Sequence, residues 1–212
     1  MRRLVCLHGS PRPGGNSADI AGAVCAAAQS AGAEVRTFRL NSLKYSGCQG
    51  CLACKKSSEV CILKDDLTEV LEAVRGCDGL IVATPVYFGE VTAQLKGFID
   101  RSFCYLKPGY PHLPRGQRSR LGTGLDLAFI IAQGHPKEDL FTDIYPRYAY
   151  FYRWLGFTQS RLLRACAIYK PGDAQARPEV MAAASTLGLE MAAGLAANAP
   201  EDVVVSEGNK AS

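Results

Sequence analysis

Short apolar runs alternate along the chain with longer stretches that are alanine-rich or have apolar residues at helical spacing. The apolar runs are typical of β-strands, and their nearly continuous hydrophobicity indicates burial in a sheet. Five strands are predicted, over Arg2–His8, Glu34–Leu40, Asp78–Thr84, Leu125–Gln133 and Ser160–Tyr169. The pattern therefore predicts an α/β protein built around a five-stranded sheet.

Helices are predicted between these strands. They cover Asn16–Ala31, a stretch from Asp66 to Arg75 opened by a capping box at Asp66 and Glu69, Val91–Cys104, Lys137–Leu155 and a last helix from Pro178. Strands that alternate with helices favour a doubly wound parallel sheet with helices on both faces. We expect one domain over residues 1–199, with a cysteine-rich insertion at 45–64 and a loose tail over 200–212.

Composition narrows the class of protein. Apolar residues make up 48% and charged residues 21% of the chain, which is typical of a folded globular protein. The net charge of +4 gives no indication of nucleic-acid binding. We find no stretch long enough to span a membrane and no signal-peptide pattern at the start. Nine cysteines without such a signal favour a reduced, cytoplasmic protein.

The loops that follow the strands at their carboxyl ends are the candidate ligand site, because doubly wound sheets bind ligands there. The first loop, from Gly9 to Ser17, joins a strand to a helix N-terminus, which favours an anion. Its candidate phosphate ligands are Ser10, Arg12, Asn16 and Ser17. It matches neither the nucleotide P-loop nor the dinucleotide fingerprint.

The second and third loops suit a flat ring. The second is apolar and aromatic, and its candidate ring contacts are Thr84, Pro85, Val86, Tyr87, Phe88 and Gly89. The third loop contributes Gly134. Capping of the core by Tyr87 and Phe88 is an alternative interpretation.

Four cysteines form a compact run. Cys48, Cys51 and Cys54 follow one another at two-residue intervals, and Cys61 comes after a short loop. A [4Fe–4S] cluster needs four thiolates around one small body, whereas structural zinc sites more often use two separated pairs. Zinc and free or redox-switching thiols remain alternatives. The other five cysteines are predicted to be buried small hydrophobic residues.

These motifs carry a family resemblance over about residues 2–170. The loop Gly9-Ser-Pro-Arg with Asn16-Ser17, the loop Thr84–Gly89 and the segment Val91–Arg101 resemble NAD(P)H-dependent FMN reductases of the flavodoxin-like superfamily. The cysteine run followed by Lys64-Asp-Asp-Leu67 resembles the iron–sulfur flavoproteins within that family. The resemblance implies a flavodoxin-like fold, FMN bound by the loops above, and homo-oligomers (dimer or tetramer) in which a neighbouring subunit helps to cover the flavin.

The function expected on this basis is that of an FMN-dependent oxidoreductase. It would move electrons between NAD(P)H or a ferredoxin-like donor and an acceptor, through FMN and a [4Fe–4S] cluster at Cys48, Cys51, Cys54 and Cys61 placed beside the flavin. No side chain need act as an acid or base, so no catalytic residue is predicted. A non-enzymatic carrier, or a quinone, azo-dye or nitro-compound reductase with zinc or free thiols, is the alternative. The basic run 115–120 is expected to be a solvated loop, or else to dock an acidic electron carrier or the phosphate of NADPH. The aromatic stretch 145–157 is expected to be core, an oligomer interface or a wall over the flavin.

Overall fold

A computed structural model describes residues 1–196 and 203–206 of the chain. Six parallel strands form one sheet in the order β2-β1-β3-β4-β5-β6. The strands are β1 (Arg3–His8), β2 (Glu34–Arg39), β3 (Gly79–Pro85), β4 (Leu125–Ala132), β5 (Phe157–Ala165) and β6 (Val203–Val205). The chain runs outward from β1 to β2 and returns to β3, so the strand order reverses between β1 and β3. This confirms the doubly wound, flavodoxin-like prediction, with one strand more than the five expected.

Helices cover both faces of the sheet. They are α1 (Asn16–Ser30), α2 (Ala53–Lys56), α3 (Leu67–Arg75), α4 (Ala93–Arg101), α5 (Ile144–Trp154) and α6 (Pro178–Ala193). On one face, Ile20 of α1 and Val180 of α6 are fully buried in one hydrophobic cluster. On the other face, α3, α4 and α5 bury a second cluster that includes Phe98 and Tyr148.

The inner strands contribute side chains to both hydrophobic clusters. Along β1, Leu4 and Cys6 belong to the cluster under α1 and α6, whereas Val5 and Leu7 belong to the opposite cluster. Side chains alternate between the two faces of a strand, so a strand covered on both sides must be apolar at nearly every position. Each such side chain contributes about 1.5–3 kcal/mol by burial. The continuous apolar runs in the sequence follow from this arrangement.

Three predicted boundaries are corrected by the structure. The helix predicted from Lys137 begins at Ile144, because buried Gln133 and Arg164 bind the carbonyls of residues 135–140 and hold that segment as a loop. The fifth strand begins at Phe157 and ends at Ala165, in register with β4. The helix predicted over Val91–Cys104 is α4 followed by a short 3₁₀ turn.

The helix cap before α3 also differs from the prediction. Asp65, and not Asp66, accepts the backbone N–H of Leu67 at 3.2 Å, and the hydroxyl of Thr68 accepts the N–H of Asp65 at 3.4 Å. The reciprocal cap therefore lies one residue earlier than the pattern indicated.

The end of the chain contains a strand. Val203–Val205 pairs in parallel with β5 and corrects the prediction of a loose tail at those positions, while residues 200–202 and 207–212 lie outside the described residues. The assignment of one domain over 1–199 stays a prediction. Within the described ranges, no helix is long and apolar enough to cross a membrane.

Candidate functional site

A cleft of about 640 Å³ opens at the carboxyl edge of the sheet, next to the point where the strand order reverses. Ten of the predicted ligand residues line it: Ser10, Arg12, Asn16, Ser17, Pro85, Val86, Tyr87, Phe88, Gly89 and Gly134. Thr84 does not line it. Its buried hydroxyl donates to the carbonyl of Pro85 at 2.8 Å and accepts the N–H of Thr92 at 3.3 Å, so its role is structural.

The first loop is fixed where β1 and β3 meet. The N–H of Gly9 donates to the carbonyl of Ala83 at 2.8 Å, and the hydroxyl of Thr92 donates to the carbonyl of Gly9 at 2.6 Å. A Cβ at Gly9 would lie 3.0 Å from the Cβ of Leu95, so this close approach requires glycine. Because Thr92 also caps α4 by accepting the N–H of Leu95, one hydroxyl joins the loop to that helix.

The N-terminus of α1 offers free donors to the cleft. Gly15 precedes the helix and provides no side-chain cap. Among the described residues, the backbone N–H groups of Asn16 and Ser17 and the hydroxyl of Ser17 have no hydrogen-bond acceptor. Unpaired N–H groups at the positive end of a helix bind anions well. This end of the cleft therefore suits a phosphate.

Asn16 contributes differently from the prediction. Its side-chain amide donates to the carbonyl of Lys170 at 2.9 Å, and its side-chain oxygen accepts the N–H of Ala174 at 3.1 Å. The buried side chain therefore holds the loop after β5, and only the backbone N–H of Asn16 is free to bind a ligand. Arg12 is exposed, and its guanidinium donates to the carbonyl of Tyr169 at 3.4 Å.

The other end of the cleft is apolar and aromatic. The N–H of Val86 donates to the carbonyl of Ala132 at 3.0 Å, which joins the loops after β3 and β4. Phe88 has a φ of 49° and a side chain wholly exposed at the cleft rim. A non-glycine residue in this backbone conformation costs of order 1–3 kcal/mol. The bridge between Tyr87 and Glu90 helps to hold the turn in that conformation.

Sequence reasoning missed one wall of this cleft. Phe141, Ile168 and Tyr169 line it beside the predicted residues. Ile168 and Tyr169 follow β5, and the carboxyl end of that strand is the signal that could have identified them. Phe141 lies in the loop that the sequence pattern assigned to a helix.

The four predicted metal ligands share a second, much smaller cavity. Cys48, Cys51, Cys54 and Cys61 line a space of about 30 Å³, together with Cys104. Gly50 and Leu52 have φ values of 64° and 59°, and these left-handed turns fold the loop back on itself. Four thiols from one loop match an iron–sulfur cluster in type and number. Within the described residues, however, no three Cys, His, Asp or Glu side chains are placed to hold a metal ion.

Positive charge surrounds the cysteine cavity. The ammonium of Lys55 lies 3.4 Å from Cys54 Sγ and 3.9 Å from the centre of the Phe103 ring. Burial lowers the pKa of Lys55, against the opposing effect of Cys54. The guanidinium of Arg120 donates to the carbonyl of Cys54 at 3.1 Å. Nearby cations favour thiolates and an anionic cluster, so the electrostatics fit the donor set.

Cys104 differs from the four cysteines of the loop. Burial, and then the neighbouring Cys61 and Cys54, raise the pKa of its thiol to about 11. It therefore stays a neutral thiol at physiological pH. It is buried, as predicted for the five cysteines outside the run: Cys6, Cys25, Cys77, Cys104 and Cys166.

A buried ion pair holds the cysteine segment at both ends. The guanidinium of Arg101 binds the carboxylate of Asp65 through two hydrogen bonds, of 2.8 and 3.2 Å. It also donates to the carbonyls of Ser46 at 2.9 Å and Leu63 at 3.3 Å. Burial raises the pKa of Asp65, but hydrogen bonds from Arg101 and from backbone N–H groups outweigh it, and the pKa lies below its usual value.

The two candidate sites lie at opposite ends of α4. The larger cleft adjoins the loop tied to Thr92 at the start of the helix, and the cysteine cavity is lined by Arg101 at its end. A helix rises 1.5 Å per residue, so Ala93–Arg101 spans about 12–14 Å. The expectation that a cluster at these cysteines lies near the flavin stays a prediction. The stretch 145–157 contributes no residue to the larger cleft of the same chain.

Known proteins resemble this chain in sequence and in fold. The sequence profile of the NADPH-dependent FMN reductase family matches residues 2–116, which is more than half of the chain. The chain belongs to the NADPH-dependent FMN reductase family. That match covers the loops after β1 and β3, the cysteine run and α4.

Curated relatives of this FMN reductase family member are named iron–sulfur flavoproteins. One from Methanosarcina thermophila is 39% identical over 100 residues, covering 47% of this chain and 52% of the relative. One from Archaeoglobus fulgidus is 38% identical over 103 residues, covering 49% of this chain and 46% of the relative. The chain thus spans about half the length of the curated relatives it matches.

Solved structures show the same fold. An NAD(P)H:quinone oxidoreductase from Methanothermobacter marburgensis superposes with a TM-score of 0.69 at 21% identity, covering 90% of this chain and 96% of the other. An FMN-dependent NADH-azoreductase from Bacillus anthracis, solved in complex with FMN, gives 0.62 at 14% identity, covering 91% and 98%. At these identities the likeness establishes the flavodoxin-like fold alone.

Proposed function

We propose that this chain is an FMN-dependent oxidoreductase that moves electrons between NAD(P)H or a ferredoxin-like donor and an acceptor. FMN would supply the chemistry, since it accepts a hydride or single electrons. The observation that carries the proposal is the cleft at the strand-order reversal, with free N–H donors at one end and aromatic side chains at the other. It occurs in a member of a family described as FMN reductases.

Residues of the chain would hold FMN without acting on it chemically. The N–H groups of Asn16 and Ser17 and the hydroxyl of Ser17 would bind the phosphate, with Ser10 and Arg12 beside them. The loop from Pro85 to Gly89 and Gly134 would enclose the ring. Each hydrogen bond to a charged phosphate is worth about 1.5–3 kcal/mol.

The cysteine loop would hold a [4Fe–4S] cluster. Cys48, Cys51, Cys54 and Cys61 already line one cavity, and Lys55, Arg101 and Arg120 surround it with positive charge. Curated relatives carry the name iron–sulfur flavoprotein, which supports this choice over zinc. Cluster assembly would widen the cavity, because metal binding and local folding are coupled.

Substitution of Ser17 tests the flavin site. Ser17→Ala should weaken FMN binding by roughly tenfold, because it removes one hydrogen bond to the phosphate. Ser30→Ala, at the far end of α1, is the matched control, since Ser30 donates only to the carbonyl of Ala27 in its own helix. Affinity is measured by quenching of flavin fluorescence. Equal affinity for FMN in both variants would contradict the phosphate assignment.

Cofactor analysis tests the cluster and the activity separately. Protein purified without oxygen should contain iron and acid-labile sulfide and show a broad visible absorption that the Cys48→Ser variant loses. Zinc in place of iron, or metal-free protein after reconstitution, would overturn the cluster. Steady-state oxidation of NAD(P)H would support an enzyme, whereas reduction that stops after one equivalent of flavin would favour a carrier. Sedimentation would test the proposed homo-oligomer, a dimer or tetramer.

A further inference from the structure

A recess on the α4–α5 face consists of two neighbouring cavities that share Trp154 as a lining residue, and neither shares a lining residue with the FMN cleft. Its first part has a volume of about 520 Å³ and is mostly apolar, with Phe103, Phe151 and Trp154 among its walls and Cys48 at its edge. The carboxylate of Asp100 reaches this part but is paired with Lys96 at 2.6 Å. Flat apolar walls of this kind suit an aromatic ring.

The second part of the recess, about 560 Å³ in volume, is strongly basic. Arg115, Arg118 and Arg153 line it around Trp154, and no Asp or Glu does. Within the described residues, the guanidinium groups of Arg115 and Arg153 have no hydrogen-bond or ion-pair partner. In the part of the chain that the structure describes, these three cations have no counter-ion, which favours an anionic ligand.

Contacts with the protein hold two arginines of the basic run 115–120 in place, so they are not simply solvated side chains. Arg118 donates to the carbonyl of Leu113 at 2.8 Å and stacks 5.2 Å from the centre of the Trp154 ring. In the same run, Arg120 turns inward and donates to the carbonyls of Cys104 and Leu106 at 2.9 and 2.6 Å. The basic run 115–120 is therefore divided between a structural arginine and two arginines that face the recess.

We propose that this recess binds a planar aromatic molecule carrying an anionic group. Its ring would lie against Trp154, which lines both cavities, and its anion would bind Arg115 and Arg153. Both parts of the recess have volumes within the range of roughly 300–1,000 Å³ seen for small-molecule sites. The site needs neither FMN nor a cluster, so it can be tested whether or not the proposed function holds.

Trp154 provides a direct readout, because it is the only tryptophan in the chain. Anthraquinone-2-sulfonate is titrated into the protein without FMN and with one equivalent of bound FMN and none in excess, because free FMN, also an anionic aromatic molecule, would compete for the recess. Tryptophan fluorescence is corrected for absorption by the ligands. We expect saturable quenching in both conditions. Quenching abolished by FMN would place the probe in the flavin cleft and overturn the proposal.

Charge and ring contributions are then separated. Arg153→Gln should weaken binding about tenfold, as expected for one charge-assisted hydrogen bond. Arg36→Gln is the control with the same charge change; it lies on β2 in an exposed pair with Glu69 and should leave affinity unchanged. The uncharged 2-(hydroxymethyl)anthraquinone should bind wild type about tenfold more weakly than the sulfonate.

Three further results would overturn the proposal. They are quenching that does not saturate, equal affinity of Arg153→Gln and Arg36→Gln for the sulfonate, and equal affinity of wild type for the two anthraquinones. Sedimentation at the titration concentration adds a final test. If the protein self-associates and the probe binds only to the dissociated chain, a second copy of the chain, and not a small anion, occupies the recess.

Discussion

Loss of the Asp65 charge should destabilise the protein and loosen the cysteine segment (residues 45–64). In the Asp65→Asn variant the side chain keeps its shape and can still accept the N–H of Leu67, so the cap of α3 is retained. Arg101, whose side chain is 0% exposed, loses its only ion-pair partner among the described residues. Removal of one member of a buried pair leaves an uncompensated charge and costs about 3–5 kcal/mol.

The lower end of that range applies here. Asp65 keeps 17% of its side-chain exposure, so water already offsets part of the interaction. We expect a loss of about 3 kcal/mol in the free energy of unfolding, and for a chain of this size a fall in Tm of roughly 6–12 °C. Urea unfolding followed by circular dichroism measures the first, and thermal scans measure the second. Cys54 and Cys61, half-buried in the native protein, should also react faster with a thiol reagent.

Asp100→Asn is the matched control. Asp100 pairs with Lys96 on α4 at 2.6 Å, but both side chains are nearly half exposed. Such a pair contributes about 0.3–0.5 kcal/mol. Equal losses in the two variants, or unchanged thiol reactivity in Asp65→Asn, would refute the view that burial of Arg101 makes this pair important. Because the folded pKa of Asp65 is depressed, its contribution is present above the unfolded pKa of about 3.9 and is lost as pH falls through the folded value.

Three further predictions concern the scaffold. Gly188→Ala should lower the free energy of unfolding in urea by about 1–3 kcal/mol, because the new Cβ would lie 2.3 Å from a carbonyl oxygen of α1. A Cβ at Gly22 would meet no atom within 4 Å, so Gly22→Ala should stabilise the protein by about 0.5–1 kcal/mol, and a gain in both variants would contradict the close helix contact. Burial, and secondarily Arg39, lower the pKa of His8, so stability should fall as pH drops below about 6.5, and His8→Gln should flatten that slope in urea midpoints measured from pH 8 to 5. Thr92→Val should cost about 1–2 kcal/mol by losing the cap of α4 and the bond to the Gly9 carbonyl, and an unchanged urea midpoint would count against both contacts.

The sequence predicted the structure correctly in segments where the local pattern of apolar residues follows directly from burial. The strands β1, β3 and β4 were predicted to within one residue at each end, because burial on both faces imposes continuous apolar runs. The loops after β1, β3 and β4 were identified because parallel sheets place their ligand sites at these ends. These two regularities were enough to predict the fold class and most of the larger cleft.

What the sequence could not supply depends on contacts between distant residues. The side chain of Asn16 was predicted to bind a phosphate, but it binds the backbone of Lys170 and Ala174, far along the chain. The position of the cysteine segment at the end of α4 also depends on distant contacts, because Arg101 binds both Asp65 and the carbonyl of Ser46. No periodicity or spacing in the sequence encodes such pairings.

The sixth strand has a consequence for how the sheet meets other molecules. Unpaired strand edges invite pairing with other chains, which leads to aggregation. Here β6 is only three residues long, so beside β5 it presents a short edge. At the opposite edge, β2 carries Glu34, Arg36 and Arg39 among its six residues. A short terminal strand at one margin and charged side chains at the other are both features that disfavour edge-to-edge association of the sheet.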